Sequence, residues 1–274
     1  MIAKIHDSRI CALGEGPLWH PELKKLFWFD ILGCTLLCDD GRTWHFDEHV
    51  SAAGWIDINA LLIASETGLF RYNIETKQLE MITPLEAELA HTRSNDGRAD
   101  PWGGFWIGTM GKNAEDGAGA IYRYYQGKLT KLFAGLTITN SICFSPDGTF
   151  AYYTDTTKAV IMRTPLDSQG FPKNDGDIFI DLAREGVNPD GSVIASDGTL
   201  LNAQWGAARV ARYGRDGNFI AAYGFPASQI TCPAFAGARL FATSAAQGVD
   251  ELHAGKTFAI ETTLTGQREH QVIL

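Results

Sequence analysis

The sequence has no long hydrophobic run, and its positive charge falls well short of its negative charge. No apolar stretch approaches the length of about 20 residues that a membrane-spanning helix needs, so we expect no membrane partner. Lysine and arginine together number 23 against 32 aspartates and glutamates, which gives a net charge of −9. Nucleic acids bind basic surfaces, and this balance argues against a nucleic-acid partner.

Cysteine is scarce and odd in number, with five residues at Cys11, Cys34, Cys38, Cys143 and Cys232. The N-terminal residues are too polar for a secretory signal peptide. These two features favour reduced thiols in a cytoplasmic protein. The two cysteines at 34 and 38 are close in sequence, but no second Cys/His pair completes a zinc clip.

Amphipathic helical patterns of several turns are also missing, and a unit of turn followed by apolar strand recurs instead. Six copies cover residues 20–30, 57–64, 92–110, 145–155, 196–203 and 236–243. The units repeat at roughly 35–50 residues, the range of four-stranded propeller blades. We therefore predict an all-β protein, a single six-bladed β-propeller domain over residues 1–274. A two-sheet sandwich is the rival, but it does not explain so many equivalent units.

The longest copy, residues 92–110, joins the polar segment Arg-Ser-Asn-Asp-Gly to an aromatic run at 105–107. Asparagine and aspartate before glycine predict a turn, and the aromatic run predicts a buried strand. Polar residues at a strand end are where scaffolds usually place chemistry. We also expect the ring to close by pairing an N-terminal strand with residues 267–274.

Three oxygen-bearing side chains occupy matching places in different units. Glu15 lies between two glycines, Asn140 in an apolar strand, and Asp190 in the segment Asn-Pro-Asp-Gly. In a propeller such positions converge on one mouth of the central channel, and the set suits Ca²⁺, Mg²⁺ or Mn²⁺, while Zn²⁺ also accepts carboxylates. Each residue alone also fits a structural role, as an exposed turn or a satisfied core amide. The joint pattern favours a site.

Other catalytic motifs are missing from the sequence. It has no Gly-x-Ser-x-Gly elbow, no His-Glu-x-x-His and no P-loop, and Gly-Glu-Gly at 14–16 precedes no helix. The seven histidines are scattered. A serine esterase, a zincin and a nucleotide-binding enzyme are therefore disfavoured.

The chain resembles the family of senescence marker protein 30 (regucalcin), gluconolactonases and related sugar lactonases. The resemblance spans nearly the whole chain, through Gly-Glu-Gly-Pro-x-Trp (14–19), Arg-x-Asn-Asp-Gly-x-x-Asp-Pro-x-Gly-x-Phe-Trp-x-Gly-Thr-Met (93–110), Ser-Pro-Asp-Gly (145–148), Tyr-x-Thr-Asp-Thr (152–156) and Pro-Asp-Gly (189–191). The long central motif is highly specific. The sixth unit, 232–240, is shorter than the usual family version, and Gly-Lys-Thr-Phe at 255–258 replaces Gly-Gly-Leu-Phe.

The resemblance implies a six-bladed propeller with one divalent metal ion, Ca²⁺ or Zn²⁺ before Mn²⁺ or Mg²⁺, held by Glu15, Asn140 and Asp190. It places Arg93 and Asn95 on the substrate, with a further glutamate that maps less surely onto Glu115. The implied reaction opens an aldonolactone, such as glucono-, arabinono- or xylonolactone, to the sugar acid.

Asp190 is the candidate general base, because no histidine is placed to serve. Coordination to a metal would weaken it as a base, so the two roles compete. Zn²⁺ could itself acidify water towards a pKa of about 7, whereas Ca²⁺ would help less.

Two alternatives stay open beside the sugar lactonase. One is a non-catalytic, regucalcin-like Ca²⁺-binding propeller, and the other is a paraoxonase-like hydrolase of lipophilic lactones or esters. The Arg-x-Asn pair favours a polyol substrate over both. We expect a monomer or a weak homo-oligomer.

Overall fold

A computed structural model describes residues 3–274, which form twenty-four strands in six four-stranded sheets. The innermost strands of successive sheets contact one another in a closed ring. The protein is therefore a six-bladed β-propeller, as the repeat predicted. None of the helical segments within the described residues has the length and hydrophobicity needed to cross a bilayer.

The first three blades are each built from four consecutive strands, the innermost given first. Blade 1 consists of β2 (Gly14–His20), β3 (Lys25–Asp30), β4 (Thr35–Cys38) and β5 (Thr43–His45). Blade 2 consists of β6 (Val50–Asp57), β7 (Ala60–Ser65), β8 (Gly68–Asn73) and β9 (Leu79–Pro84). Blade 3 consists of β10 (Thr92–Ala99), β11 (Phe105–Gly111), β12 (Gly119–Tyr125) and β13 (Lys128–Leu136).

The remaining blades follow the same plan except for the last. Blade 4 consists of β14 (Thr139–Phe144), β15 (Phe150–Asp155), β16 (Val160–Pro165) and β17 (Asp177–Asp181), with a 3-10 turn at Thr156–Lys158. Blade 5 consists of β18 (Asn188–Ile194), β19 (Leu200–Trp205), β20 (Arg209–Tyr213) and β21 (Phe219–Gly224). Blade 6 consists of β22 (Ile230–Ala236), β23 (Arg239–Ser244), β24 (Thr257–Glu261) and, as its outer strand, β1 (Lys4–Asp7).

The ring closes in blade 6, where chain segments from both ends share one sheet. β1 pairs antiparallel with β24, with Lys4 opposite Ala259. The expectation that an N-terminal strand completes the last blade is confirmed, but residues 267–274 as its partner are wrong. Those residues follow the sheet and take another path, because β24 already lies beside β1.

An extra residue interrupts each inner strand near its beginning. In β2 the three-residue step from Glu15 to Leu18 lies opposite the two-residue step from Phe29 to Phe27. The same three-for-two shift occurs in blades 3, 4, 5 and 6, at 94–97, 140–143, 189–192 and 230–233. A bulge of this kind re-aims the side chains beside it. The side chains at the start of the inner strands can therefore point into the channel together.

The polar segment 92–99 is a strand rather than a turn. It pairs with β11 in the register Arg93 to Met110 and Ala99 to Phe105, and Asp96 within it is buried. Pairing and burial override the turn preference of Asn-Asp-Gly, because the bulge absorbs the irregularity that those residues favour. The turn comes afterwards, where Asp100 accepts hydrogen bonds from the backbone N–H groups of Trp102 and Gly104, both at 2.9 Å.

A buried ion pair joins that turn to the middle of blade 3. Arg123 Nε donates to Asp100 Oδ2 at 2.6 Å, and both side chains are fully buried. The guanidinium also donates to the carbonyl oxygen of Gln169 at 2.7 Å and lies over the rings of Tyr125 and Phe171, 4.2 and 4.4 Å from their centroids. One polar contact thus ties blade 3 to the loop that follows β16 in blade 4.

The C-terminal residues 266–274 run across the mouth at which the inner strands end. The Gln267 side chain donates to the carbonyl oxygens of Phe144 and Ile194, both at 3.1 Å. Further along, the N–H of Val272 donates to Trp55 O and that of Ile273 to Gly103 O. We refer to residues 266–274 as the C-terminal segment, and it contacts the ends of inner strands from several blades.

Candidate functional site

A cavity of about 430 Å³ opens at the other mouth of the channel, where the inner strands begin. Five of the residues predicted from sequence line it, namely Glu15, Arg93, Asn95, Asn140 and Asp190. All five are buried, with 3–6% of each residue exposed. They come from the inner strands of blades 1, 3, 4 and 5, so four segments distant in sequence meet in one place.

The carboxyl groups of Glu15 and Asp190 face each other at the base of this cavity. Burial, followed by the negative charge of Asp96, raises the pKa of Glu15 to about 8. Burial, followed by the charge of Glu15, raises the pKa of Asp190 well above its usual range. Two adjacent buried carboxylates repel each other, so the pair retains a proton near neutral pH unless a cation lies between them.

An ordered chain of hydrogen bonds connects the remaining three predicted residues. Arg93 Nη1 donates to Asn95 Oδ1 at 2.7 Å, and Asn95 Nδ2 donates to Asn140 Oδ1 at 3.0 Å and to the carbonyl oxygen of Thr139 at 2.8 Å. Both amide hydrogens of Asn95 are therefore used within the protein. Its main effect is to hold Arg93 and Asn140 in place, and only an oxygen lone pair is left for a ligand.

The Asn140 amide is oriented from its other side by blade 4. Asn140 Nδ2 donates to Thr156 Oγ1 at 3.0 Å, and the Thr156 hydroxyl donates to the carbonyl oxygen of Pro189 at 2.8 Å. These bonds fix both ends of the amide of Asn140, which lines the cavity together with Glu15 and Asp190. Thr156 belongs to the Tyr-x-Thr-Asp-Thr motif, but sequence reasoning gave it no role.

The backbone at Asp190 is held by a buried polar network. The Ser141 hydroxyl donates to the carbonyl oxygen of Asp190, and Asn202 Nδ2 lies 3.1 Å from the same oxygen. Ser141 itself has a φ of 62°, a conformation that non-glycine residues adopt rarely. Strain at this bulge is offset by the hydrogen bond that it permits to the neighbouring blade.

The donor set fits a hard divalent cation. Across residues 3–274, no three histidine, cysteine, aspartate or glutamate side chains gather as a metal site, so a cation would need the Asn140 amide oxygen beside the two carboxylates. Two buried carboxylates and one amide oxygen are ligands that Ca²⁺ and Mg²⁺ prefer. Arg93 is the nearby positive charge, and burial lowers its pKa only to about 10, so it stays protonated.

Glu115 is placed differently from the other predicted residues. It does not line the cavity, and its carboxylate accepts hydrogen bonds from the backbone N–H and the side-chain amide of Asn113 at 3.1 and 3.0 Å. The loop carrying Lys112, Asn113 and Ala114 lies on the cavity wall instead. Contact between Glu115 and a substrate stays a prediction.

The upper wall of the cavity is more apolar than the sequence led us to expect. Its polar base is surrounded by mostly apolar residues, namely Leu13, Leu32, Met110, Ala114, Ile138 and Trp205. Lys112 and Gln247 add polar groups at the rim. Of these residues only Met110 belongs to a motif that drew attention in the sequence, and the others reach the cavity only because their blades converge.

Metal-free protein is expected to lose stability as pH rises from about 4.5 to about 8. In that window folded Glu15, whose pKa is raised, holds a proton that the unfolded chain releases, so the free energy of unfolding falls with pH. Chemical denaturation in a chelator at several pH values measures this. The same series on Glu15→Gln provides the reference, and an unchanged difference between the two proteins across the window would contradict the prediction.

A six-bladed propeller with an acidic, oxygen-rich pocket at one mouth is the class of protein that this fold and site define. The family described as SMP-30/Gluconolactonase/LRE-like region matches residues 13–246. The chain therefore belongs to this family, and the resemblance seen in its motifs is confirmed.

Individual relatives agree with this assignment. The chain is 42% identical over 272 residues to a putative sugar lactone lactonase of Rhizobium meliloti, covering 94% of this chain and 92% of that one. It is 34% identical to an L-arabinolactonase of Azospirillum brasilense, over 93% of this chain and 90% of the relative. The crystal structure of a calcium-binding protein, regucalcin, from Agrobacterium tumefaciens superposes with a TM-score of 0.97 at 41% identity, covering 99% and 97% of the two chains.

Proposed function

We propose that this protein is a carboxylic ester hydrolase that opens a sugar lactone to the sugar acid with the help of one divalent cation. The observation that carries the proposal is the convergence of Glu15, Asn140, Asp190 and Arg93 on one cavity of about 430 Å³. Relatives that cover most of the chain carry lactonase names. The cavity lies within the size range of small-molecule sites.

Glu15, Asn140 and Asp190 would hold the cation. When bound, it would polarise the lactone carbonyl and stabilise the negative charge that develops on the carbonyl oxygen. Asn95 and Thr156 fix the Asn140 amide, and Ser141 with Asn202 fixes the backbone at Asp190. These contacts keep the donors in place before substrate arrives.

Asp190 would carry the proton during hydrolysis. Its carboxylate takes a proton from the attacking water as the water oxygen bonds to the carbonyl carbon, and it returns that proton to the ring oxygen as the ring C–O bond breaks. The product is the open sugar acid. In the metal-free protein burial beside Glu15 raises the pKa of Asp190, and a bound cation would favour the ionised carboxylate that this role requires.

Arg93 would orient the sugar through its free donors. Nη1 is used for the carbonyl oxygen of Ser94 and for Asn95, which leaves Nε and Nη2 for substrate oxygens. We expect Arg93→Gln to raise KM by roughly 10- to 100-fold with a smaller effect on kcat, because hydrogen bonds to charged groups contribute about 1.5–3 kcal/mol.

Steady-state kinetics on the preferred lactone measure the Arg93 effect. Arg209→Gln is the matched control, since Arg209 lies in blade 5 and pairs with the exposed carboxylate of Glu185. A KM for Arg93→Gln that equals the wild-type value would remove Arg93 from substrate binding.

A pH-drop assay tests the function directly. Gluconolactone, galactonolactone, arabinonolactone and xylonolactone are each supplied with Ca²⁺, Zn²⁺, Mn²⁺ or Mg²⁺ after chelation of the purified protein. We expect one or more lactones to open well above the spontaneous rate, and only with metal present. Spontaneous rates in every combination would refute the hydrolase proposal.

The same assay separates the alternatives. A calcium-binding protein without catalytic activity, in line with the name of the Agrobacterium structure, predicts cation binding with no lactone opening. The apolar upper wall, with Leu32, Ile138 and Trp205, gives the lipophilic-lactone hydrolase a specific basis. An alkyl-substituted lactone therefore belongs in the screen, and its preference over every sugar lactone would favour that alternative. The cytoplasmic location and the monomeric or weakly associating state stay predictions.

A further inference from the structure

A buried ion pair lies in the channel between the site and the C-terminal segment. Arg98, in inner strand β10, donates from Nη1 to Glu269 Oε1 at 2.8 Å, and the two side chains are only 12% and 8% exposed. Among residues 3–274 the Nε of Arg98 finds no hydrogen-bond partner. Its Nη2 lies 3.4 Å from the carbonyl oxygen of Ser192. Glu269 is thus the principal partner of this buried guanidinium.

This pair is connected to the site through one small cavity. Gly16, Asp96, Arg98, Cys232 and Glu269 all line a space of about 10 Å³, which is about the volume that one water probe occupies. Gly16 directly follows Glu15. The Asp96 carboxylate accepts a hydrogen bond from the N–H of Ile142 at 2.7 Å, two residues beyond Asn140. Charged side chains therefore follow one another along the channel from one mouth to the other.

Beyond the two carboxylates of the site, the charged side chains along the channel alternate in sign, from Asp96 through Arg98 to Glu269. Asp96 lies close enough to Glu15 and Asp190 for its charge to act on both, and Arg98 lies next to Asp96 and acts on it in turn. Glu269 follows Arg98. Charges in a buried channel are screened little by salt. The net charge of the Arg98–Glu269 pair therefore affects the electrostatic potential at the site.

The C-terminal segment is anchored by contacts that do not need the Glu269 carboxylate. Gln267 bonds to Phe144 and Ile194, the backbone N–H of Val272 bonds to Trp55, and the Val272 side chain is 1% exposed. Glu269 contributes its carboxylate to the channel in addition to this anchoring. A charge is costly to bury, and mere closure of the channel would not require one.

We propose that Arg98 and Glu269 are positioning residues for the site at the opposite mouth, and that Glu269 neutralises Arg98 so that a divalent cation binds tightly between Glu15, Asn140 and Asp190. This inference rests on the proposed function, because it presupposes that these three residues hold a cation. The C-terminal segment then provides the negative charge that neutralises Arg98, and it does so without contacting substrate.

Calorimetric titration of chelated protein with Ca²⁺ and with Mn²⁺ tests the inference. Glu269→Gln leaves the positive charge of Arg98 uncompensated, and we expect it to weaken cation binding roughly tenfold, since a unit charge acts strongly on a divalent ion at the low effective dielectric of a buried channel. Arg268→Gln is the matched control. It removes one charge from the same segment, but Arg268 is 66% exposed and its partner Glu22 lies on the surface, so binding should stay unchanged.

The double variant Arg98→Met with Glu269→Gln distinguishes charge from anchoring. It removes both charges, and we expect the cation affinity to return to the wild-type value or to exceed it. If Glu269 acted only by fastening the segment, the double variant would bind as weakly as the single variant or more weakly, and the inference would be wrong. Wild-type binding and lactone opening with no change in Glu269→Gln would overturn this inference alone. Absence of cation binding by the wild type would overturn the proposed metal site as well.

Discussion

Replacing Asp190 with asparagine is expected to lower kcat for lactone opening by about 10³-fold. Loss of a positioned general base typically costs 10²- to 10⁴-fold, and asparagine keeps the shape of the side chain and one of its oxygens. The Asp190 carboxyl is buried beside Glu15 and its backbone is held by Ser141. The structure around it should therefore persist while the proton acceptor is lost. Initial rates with the preferred lactone and metal measure the effect.

The Asp190 result needs a control and a second readout. Asp197→Asn changes another aspartate of blade 5, one that is half-exposed and pairs with Arg212 at 2.8 Å, and it should leave the rate within about twofold of the wild type. Cation affinity of Asp190→Asn, measured by calorimetry, separates loss of the base from loss of the ligand. Metal-loaded Asp190→Asn that turns over at a near-normal rate would exclude Asp190 as the base.

Asp100→Asn is expected to reduce the free energy of unfolding by about 3–5 kcal/mol, the usual result of leaving a buried charge without its partner. The fully buried guanidinium of Arg123 would keep the carbonyl oxygen of Gln169 and the rings of Trp102, Tyr125 and Phe171. Those contacts stabilise the positive charge of the guanidinium less than the Asp100 carboxylate does. Urea denaturation followed by tryptophan fluorescence measures the change.

An exposed ion pair gives the comparison for Asp100. Arg239 and Glu261 pair at 2.7 Å in blade 6, with 51% and 63% of their side chains exposed, and Arg239→Gln should cost no more than about 1 kcal/mol. Asp100 follows the end of β10, away from the cavity, so the kcat of folded Asp100→Asn should match the wild type. If Asp100→Asn and Arg239→Gln lost equal amounts of stability, burial of the Arg123–Asp100 pair would contribute nothing to the free energy of unfolding.

The propeller was predictable because its signal is repeated. Apolar strands such as those at 26–29 and 105–107 recur with turns between them, and each copy supports the reading of the others. The turn predicted for the polar segment 93–97 was wrong, because Asn-Asp-Gly favours a turn locally while pairing with β11 imposes a strand. The bulge that reconciles the two preferences depends on the neighbouring strand, which a local pattern does not contain.

The site was predictable as far as its residues stand inside recognisable motifs. Glu15, Arg93, Asn95 and Asp190 do, Asn140 stands out as an amide within an apolar strand, and the structure brings all five to one cavity. Trp205, Lys112 and Gln247 do not, and they reach the cavity through blade geometry alone. The Arg98–Glu269 pair joins residues 171 positions apart, and no spacing rule in the sequence connects them.

Closure of the ring by β1 and β24 has a consequence for synthesis on the ribosome. Strand pairing within blades 1 to 5 involves only neighbouring segments, so these sheets can form while the chain is still emerging. The outermost position of blade 6 waits for Thr257–Glu261 to join Lys4–Asp7, and such distant pairing is slow. Glu15 lies in blade 1 and Asp190 in blade 5, and these two blades lie on either side of blade 6 in the closed ring. A nascent chain therefore holds an incomplete pocket until residues 257–261 have left the ribosome and paired with β1, so a complete pocket requires a closed ring.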